Sequence, residues 1–270
     1  MEFSLITLGT ASAKPVVNKY PSAHVFNMRG RLFLVDCGEG TQVQLMRYRL
    51  SLFKMDHILL SHLHGDHVFG IFGLLSTMSM LGRTAPLKIF APRDFSSMLR
   101  FFLAHFGEGI RYEIKHEVLS MKGPELICET RTADVYAFPL NHGIPTFGFL
   151  FREKWKELPL APYPRRCRSA AYCSDTAPFP ELADWIRGVD LLYHETTYTD
   201  DMRSLALERH HSTARQAAEV ARDAGVGRLI AGHFSSRYKD LSPLLEEARA
   251  IFPATDLACE GEHFKVSLKV

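Results

Sequence analysis

The chain has 270 residues, 46% hydrophobic and 23% charged, with a formal net charge of +2, the profile of one large or two small soluble globular domains. At this length about 70–75% of the unfolded surface is buried on folding, so a core needs no disulfide support. Five cysteines, an odd count with no C-x-x-C pair, exclude a secreted disulfide scaffold and point to a reducing, cytoplasmic compartment.

The opening MEFSLITLGT lacks a basic leader region and a cleavage site, so no signal peptide is expected. Short strands are predicted at residues 3–8, then at 24–28 and 31–35, joined by a two-residue turn at Arg29-Gly30. A strand at 56–60 precedes a helix over 68–81, and a strand at 87–91 precedes a helix over 95–105. The stretch 68–81 is too short and too interrupted by Gly, Ser and Thr to span a bilayer. Further strands are read at 135–140, 170–173, 191–194, 229–231 and 264–268. The clearest helix is 212–224: Ser212 or Thr213 can cap it, Ala217, Val220, Ala221 and Ala224 form one stripe, and Gly225 sits just past its end. No repeat or long linker interrupts the chain, so residues 1–270 are expected to form one α/β sandwich domain.

Thirteen histidines are the unusual count, and the strongest signal is Ser61-His62-Leu63-His64-Gly65-Asp66-His67. Three imidazoles and a carboxylate so close together are costly to bury unless something pairs with them. On a turning loop His62 and His64 point one way while Asp66 and His67 reach a neighbouring point, which supplies two adjacent metal sites. Imidazole plus carboxylate suits zinc, with iron or manganese as alternatives. A solvated loop with surface histidines is the plainer explanation. Against it stand three residues at strand ends: His142 after VYAFPL, Asp175 after AAYC and His233 after LIA. Alone, each would be read as a cap or a satisfied core group. Together with the loop, His62, His64 and His142 can hold one ion, Asp66, His67 and His233 the other, and Asp175 can bridge.

The HLHGDH run, with Asp36 closing LFLVD upstream and His142, Asp175 and His233 downstream, resembles the metallo-β-lactamase fold family over about residues 30–235. That resemblance implies an αββα sandwich with a dinuclear site at the sheet edges. It also makes Asp36 a non-ligating carboxylate that orients the site, the alternative being an Asx turn opening Cys37-Gly38-Glu39-Gly40. The fold hosts many reactions and does not name one. Narrower runs, LGTASAKPVVNKYPSAHVF, DCGEGTQ over 36–42 and NHGIPTFG over 141–148, resemble the ribonuclease Z family, endonucleases that trim tRNA 3′ trailers. So do Tyr193-His194-Glu195-Thr196-Thr197, with Thr196 where the family has Ala, and His211-Ser212-Thr213. The resemblance implies precursor tRNA as substrate and a homodimer in which one subunit's arm presents tRNA to the other's site.

Phosphodiester hydrolysis needs a hydroxide, neutralised phosphate oxygens and a proton for the leaving ribose oxygen. Two zinc ions meet the first two needs by bringing the pKa of water towards about 7 and holding the phosphate. Asp66 can accept the water's proton. His211, at a helix N-terminus and steadied by Glu195, is the candidate acid. The expected products are a 3′-hydroxyl on the tRNA and a 5′-phosphate on the trailer. His194 and His210 receive no role.

Residues 152–168, REKWKELPLAPYPRRCR, carry six basic and two acidic side chains, with Arg165 and Arg166 as candidate phosphate contacts. Here the chain departs from the resembling family, whose bacterial members usually carry a long tRNA-gripping arm at this place. Only 32 residues separate His142 from Asp175, too few for such an arm and its flanking strands. Hydrolysis of a small phosphodiester, a sulfate ester or a thioester is therefore the alternative activity. A non-enzymatic metal-binding or redox protein on the same scaffold is disfavoured, since both carboxylate ligands are present and no flavodoxin-like extension follows.

Overall fold

The computed structural model describes residues 2–154 and 167–267. Two seven-stranded sheets face each other. The first is built in chain order from β1 (Phe3–Gly9), β2 (Ala23–Met28), β3 (Arg31–Val35), β4 (Met55–Leu59), β5 (Leu87–Pro92) and β6 (Ile114–Leu119). The second comprises β7 (Glu125–Glu129), β8 (Ala133–Pro139), β9 (Phe147–Glu153), β10 (Ser169–Cys173), β11 (Leu191–Glu195), β12 (Leu229–Gly232) and β13 (Thr255–Leu257). The last strand, β14 (His263–Lys265), returns to the outer edge of β1 in the first sheet. The expected strand over 264–268 thus starts one residue earlier and stops at Lys265, with residue 268 outside the described residues.

Alternation sorts the first sheet's side chains. Phe3, Leu5, Phe33 and Val35 point between the sheets, while Ile6, Leu8, Leu32 and Leu34 join a separate cluster. That cluster is closed by α1 (Thr41–Arg47), the short α2 (Gly65–Val68), α3 (Ile71–Met80) and α4 (Phe95–Phe106). Burial on both faces explains why LITL, LFLV and HILL are continuous apolar runs rather than alternating ones. On the other side α5 (Glu181–Trp185), α6 (Arg203–Glu208), α7 (Ala214–Asp223) and α8 (Ser242–Arg249) complete the chain. Leu182, Ala218, Ala221, Leu244 and Ala248, from α5, α7 and α8, pack against the second sheet's core. Phe26 and Phe151 stack across the sandwich with ring centroids 4.1 Å apart.

The hairpin between β2 and β3 turns at Arg29 and Gly30, both with positive φ (60° and 90°), the primed turn that matches strand twist. The expected helix over 68–81 is corrected: it is two helices broken at Phe69-Gly70. A Cβ on Gly70 would stand 2.1 Å from the Gly38 carbonyl oxygen. The Gly70 N–H donates to the Cys37 carbonyl instead (2.8 Å). The chain bends because two backbones must touch there. Helix α7 begins at Ala214, and Thr213 is its cap in a full capping box with Gln216.

Both sheets share a design. Strands β3 to β6 run parallel, as do β10 to β13. The loops beyond the carboxyl ends of β3, β4, β10 and β12 carry Asp36, residues 61–67, Asp175 and His233. In open parallel sheets that end is where ligands bind.

Candidate metal centre

Asp36 follows β3 with φ +56° and is fully buried. Its Oδ1 accepts the Ser61 N–H (2.7 Å), and its Oδ2 accepts the Ser61 hydroxyl (2.9 Å), His67 Nδ1 (2.8 Å) and the Tyr172 hydroxyl (2.7 Å). An Asx turn opening residues 37–40 is not what this side chain makes. It ties the 61–67 loop to the opposite sheet through Tyr172, and by accepting the Nδ1–H of His67 it leaves Nε2 facing inward.

His62, His142 and His233 are turned in the same way, whereas His64 turns Nδ1 to the centre. His62 Nδ1 donates to Ser61 Oγ (2.9 Å), and its Nε2 stands 3.1 Å from His64 Nδ1. His142 Nδ1 donates to the His210 carbonyl (2.9 Å), leaving its Nε2 3.3 Å from His64 Nδ1. His233 Nδ1 lies 3.0 Å from the Thr197 hydroxyl, and its Nε2 lies 3.3 Å from His67 Nε2. Asp175 divides its oxygens. Oδ2 lies 3.6 Å from His62 Nε2 and 4.0 Å from His142 Nε2, while Oδ1 lies 3.5 Å from His67 Nε2 and 3.4 Å from His233 Nε2. Asp66 Oδ2 is 3.5 Å from His67 and 3.4 Å from His233, and accepts the Ala13 N–H (2.7 Å).

Two groups result, His62/His64/His142/Asp175 and Asp66/His67/His233, each with one donor atom per residue inside a 4.8 Å span. All seven residues proposed as ligands from the sequence are brought together. Burial holds His62, His64 and His142 below the ordinary imidazole pKa, so they are neutral donors. His67 goes the other way: burial opposes its charge, but the carboxylates of Asp175, Asp66 and Asp36 outweigh it and raise the ring well above its usual value. Ring nitrogens facing each other beside convergent carboxylates are arranged for a cation, and the donor set suits a borderline metal. The centre therefore fits metal ions.

Glu195 closes β11 and is completely buried. It accepts from the Thr176, Ser212 and Thr197 amides (3.0 Å each), the Thr197 hydroxyl (2.6 Å) and His211 Nδ1 (2.9 Å). Burial works against both charges of that pair, but each outweighs it for the other: Glu195 is held below its ordinary value and His211 is lifted to about 9. Among the described residues His211 Nε2 has no hydrogen-bond partner, and the ring lies 5.6 Å from His233 and 5.2 Å from His142, centroid to centroid. His211 also combines with Asp175 and His233 as a third donor group.

Sequence reading missed Tyr172, Thr197 and the His210 carbonyl. His210 has φ +54° and His233 φ +59°, unusual conformations for residues with a Cβ, which collect at functional sites. No sequence signal marks a carbonyl acceptor. His194, unassigned before, is buried and donates Nδ1 to the Glu195 carbonyl (2.7 Å). Arg165 and Arg166 lie outside the described residues. At the two ends of that segment, Lys154 pairs with Glu129 and Asp134, Arg168 with Glu153, and Arg152 lies over the Tyr136 ring. The centre opens into a cleft of about 840 Å³, lined among others by Lys14, Phe69, Tyr198, Arg209 and Arg237.

Known proteins are similar to this chain in sequence and fold. The beta-lactamase superfamily domain matches residues 31–234. The ribonuclease Z of Parabacteroides distasonis is 40% identical over 302 positions, covering 98% of this chain and 99% of the relative. That of Cytophaga hutchinsonii is 39% identical over 307 positions, covering 100% and 98%. The aligned spans exceed this chain's 270 residues, so these relatives carry internal residues that it lacks. Among solved structures, the short form of human tRNase Z superposes with a TM-score of 0.81 at 27% identity, covering 98% of this chain and 100% of that one. The metallo-beta-lactamase fold protein YhfI of Bacillus subtilis, 20% identical with a TM-score of 0.80, shares the fold. The chain belongs to the ribonuclease Z family of the beta-lactamase superfamily.

Proposed function

We propose that this chain is a metal-dependent endoribonuclease that removes the 3′ trailer from precursor tRNA in the cytoplasm, leaving a 3′-hydroxyl on the tRNA and a 5′-phosphate on the trailer. The observation that carries this reading is the Glu195–His211 pair, 2.9 Å apart, beside the His/Asp cluster of a ribonuclease Z family member. His62, His64 and His142 would hold one zinc ion and Asp66, His67 and His233 a second, with Asp175 giving one oxygen to each; manganese or iron suits the same donors. Such ions supply Lewis acidity, which acidifies water and neutralises phosphate charge.

The chain's own groups do the rest. Asp66, fixed by the Ala13 amide, takes up a proton from the attacking water. His211 keeps a proton at neutral pH and presents it from Nε2 to the leaving ribose oxygen. Glu195 accepts the Nδ1–H, which fixes the ring with Nε2 towards the centre, and stabilises the imidazolium charge. Asp36 and Tyr172 hold the His67 ring in place.

We also propose a homodimer. What supports it is an apolar face on α3 and α4, where Phe101 and Phe106 stand exposed around a groove of about 600 Å³ that Phe72, Met98 and Phe102 also line. Single apolar residues on a surface need no explanation, but a contiguous patch marks a contact face.

Purified, zinc-loaded chain assayed on precursor tRNA and on bis(p-nitrophenyl) phosphate tests the function. The expected result is a single cut at the trailer junction, with the stated ends. Turnover of the small ester with the precursor left intact would favour the second reading, a hydrolase of small phosphodiesters. The 32-residue spacing between His142 and Asp175 speaks for that alternative.

A further inference from the structure

Two features of the cleft take no part in the chemistry above. Arg237, in the loop after β12, places its guanidinium carbon 5.1 Å from the centroid of the Tyr198 ring and donates Nε to Ser235 Oγ (3.2 Å). Among the described residues no carboxylate pairs with it. Tyr198 is only 8% exposed, whereas Arg237 above it is exposed and lines the cleft. On the wall built by the first sheet, Phe69 is 66% exposed although it is a large apolar side chain beside a polar site. Its ring lies on Gly65, between His64 and Asp66, where an added Cβ would stand 2.3 Å from a ring atom. An aromatic ring and a guanidinium plane are the two surfaces on which unpaired bases stack, whatever their identity.

We propose that Arg237 seats the base of the last nucleotide retained on the RNA and Phe69 seats the base of the first trailer nucleotide. The assignment rests on the reading given under Proposed function, and its polarity follows from the bond that breaks. Water oxygen bonds to phosphorus, the bond from phosphorus to O3′ breaks, and O3′ takes the proton from His211. The ribose carrying O3′ belongs to the retained nucleotide, so that nucleotide lies against His211. The Tyr198 ring stands 6.0 Å from the His211 ring, with Arg237 over it. The phosphate stays with the trailer nucleotide, which is left to the opposite wall and Phe69. Lys14 and Arg209 line the same cleft and suit neighbouring phosphates. Stacking without base-edge contacts makes the site tolerant of sequence on both sides of the cut.

The test couples each side chain to each base. Zinc-loaded wild type, Arg237→Ala and Phe69→Ala are compared in single-turnover cleavage of three precursor tRNAs: unmodified, abasic at the last retained nucleotide, and abasic at the first trailer nucleotide. Melting temperatures confirm that both variants fold. Arg237→Ala should raise the half-saturating concentration for unmodified precursor by about five- to a hundredfold, the usual loss for one stacked base. It should add little on the substrate abasic at the retained position, and its effect should persist on the other. Phe69→Ala should give the mirror pattern. A crossed pattern would reverse the polarity and overturn the proposal. Equal losses on all three substrates would reduce Arg237 to a general phosphate contact and overturn it too. If wild type does not cut the unmodified precursor at all, the functional reading fails first and the two seats fail with it.

Discussion

Asp175 is the residue on which the two halves of the centre meet, one carboxylate oxygen within 3.6 Å of His62 and the other within 3.4 Å of His233. Removing it should therefore disturb both metal sites, whereas removing His142 should disturb one. Asp175→Ala is expected to retain fewer than two zinc ions per chain after dialysis, measured by metal analysis on folded protein; two retained ions would show that it does not bridge. At His211 the expectation concerns leaving groups. His211→Ala should lower kcat on precursor tRNA by about 10²–10⁴, the usual yield of a general acid. On a p-nitrophenyl ester, whose leaving group departs without a proton, the loss should be far smaller. Equal losses on both substrates would make His211 a positioning group. Much of this was legible residue by residue, because imidazoles and carboxylates spaced as in HLHGDH have few other uses. Tyr172 was not legible, since its partner Asp36 lies 136 positions away in the chain.

Elements supply the rigidity that these side chains need. The parallel strands end abruptly against one another, so a residue placed one or two positions past β3, β4, β10 or β12 is fixed by strand register rather than by a flexible loop. The break between α2 and α3 does the same for the 61–67 loop. Gly70 N–H holds the Cys37 carbonyl, and Cys37 N–H holds the His67 carbonyl (2.8 Å). Gly70→Ala would force a methyl group to 2.1 Å from the Gly38 carbonyl oxygen. Overpacking of this kind costs about 1–3 kcal/mol, so a fall of several degrees in melting temperature is expected. Zinc affinity should drop with it, because the strain falls on the metal loop. Unchanged stability would mean that this contact relaxes freely. The sequence reads as one helix through residues 68–81, and nothing local marks Gly70 as different from Gly73 in the same stretch. The difference is what each meets: backbone at Gly70, but only the Gln42 side chain, at 3.2 Å, at Gly73.

Across the whole molecule, sandwiching the first sheet between helices and a second sheet removes histidines from water far from the centre. His57 on β4 stacks against Phe33 with ring centroids 5.2 Å apart. Burial, with Arg31 beside it, lowers its pKa to about 4. The folded state thus holds His57 neutral while the unfolded chain protonates it below about 6.5, so stability is complete above that pH and declines as pH falls towards 4. Discounted for partial exposure, the loss is about 1–3 kcal/mol. Urea unfolding at pH 7 and pH 5 should show a smaller decline for His57→Phe than for wild type. An identical decline would assign the pH dependence to other buried histidines such as His24 and His194.

What the sequence determined by itself was local or chemical. Double-sided burial wrote apolar runs into β1, β3 and β4, Arg29-Gly30 wrote the turn, Thr213 and Gln216 wrote a helix start, and seven His and Asp side chains announced a cation. Only tertiary structure decided which oxygen of Asp175 faces which histidines, that Tyr172 and Thr197 hold the centre from behind, and that Arg237 lies over Tyr198. Each of these is a contact between elements far apart in the chain, set by how two sheets pack, and propensity and periodicity carry no record of it. Strands β6 and β7 escaped sequence reading for a local reason. They sit at the sheet edges, where IKHEVL and ELICE are largely exposed, and an edge strand needs no strong apolar pattern of its own because its neighbour supplies the hydrogen bonds.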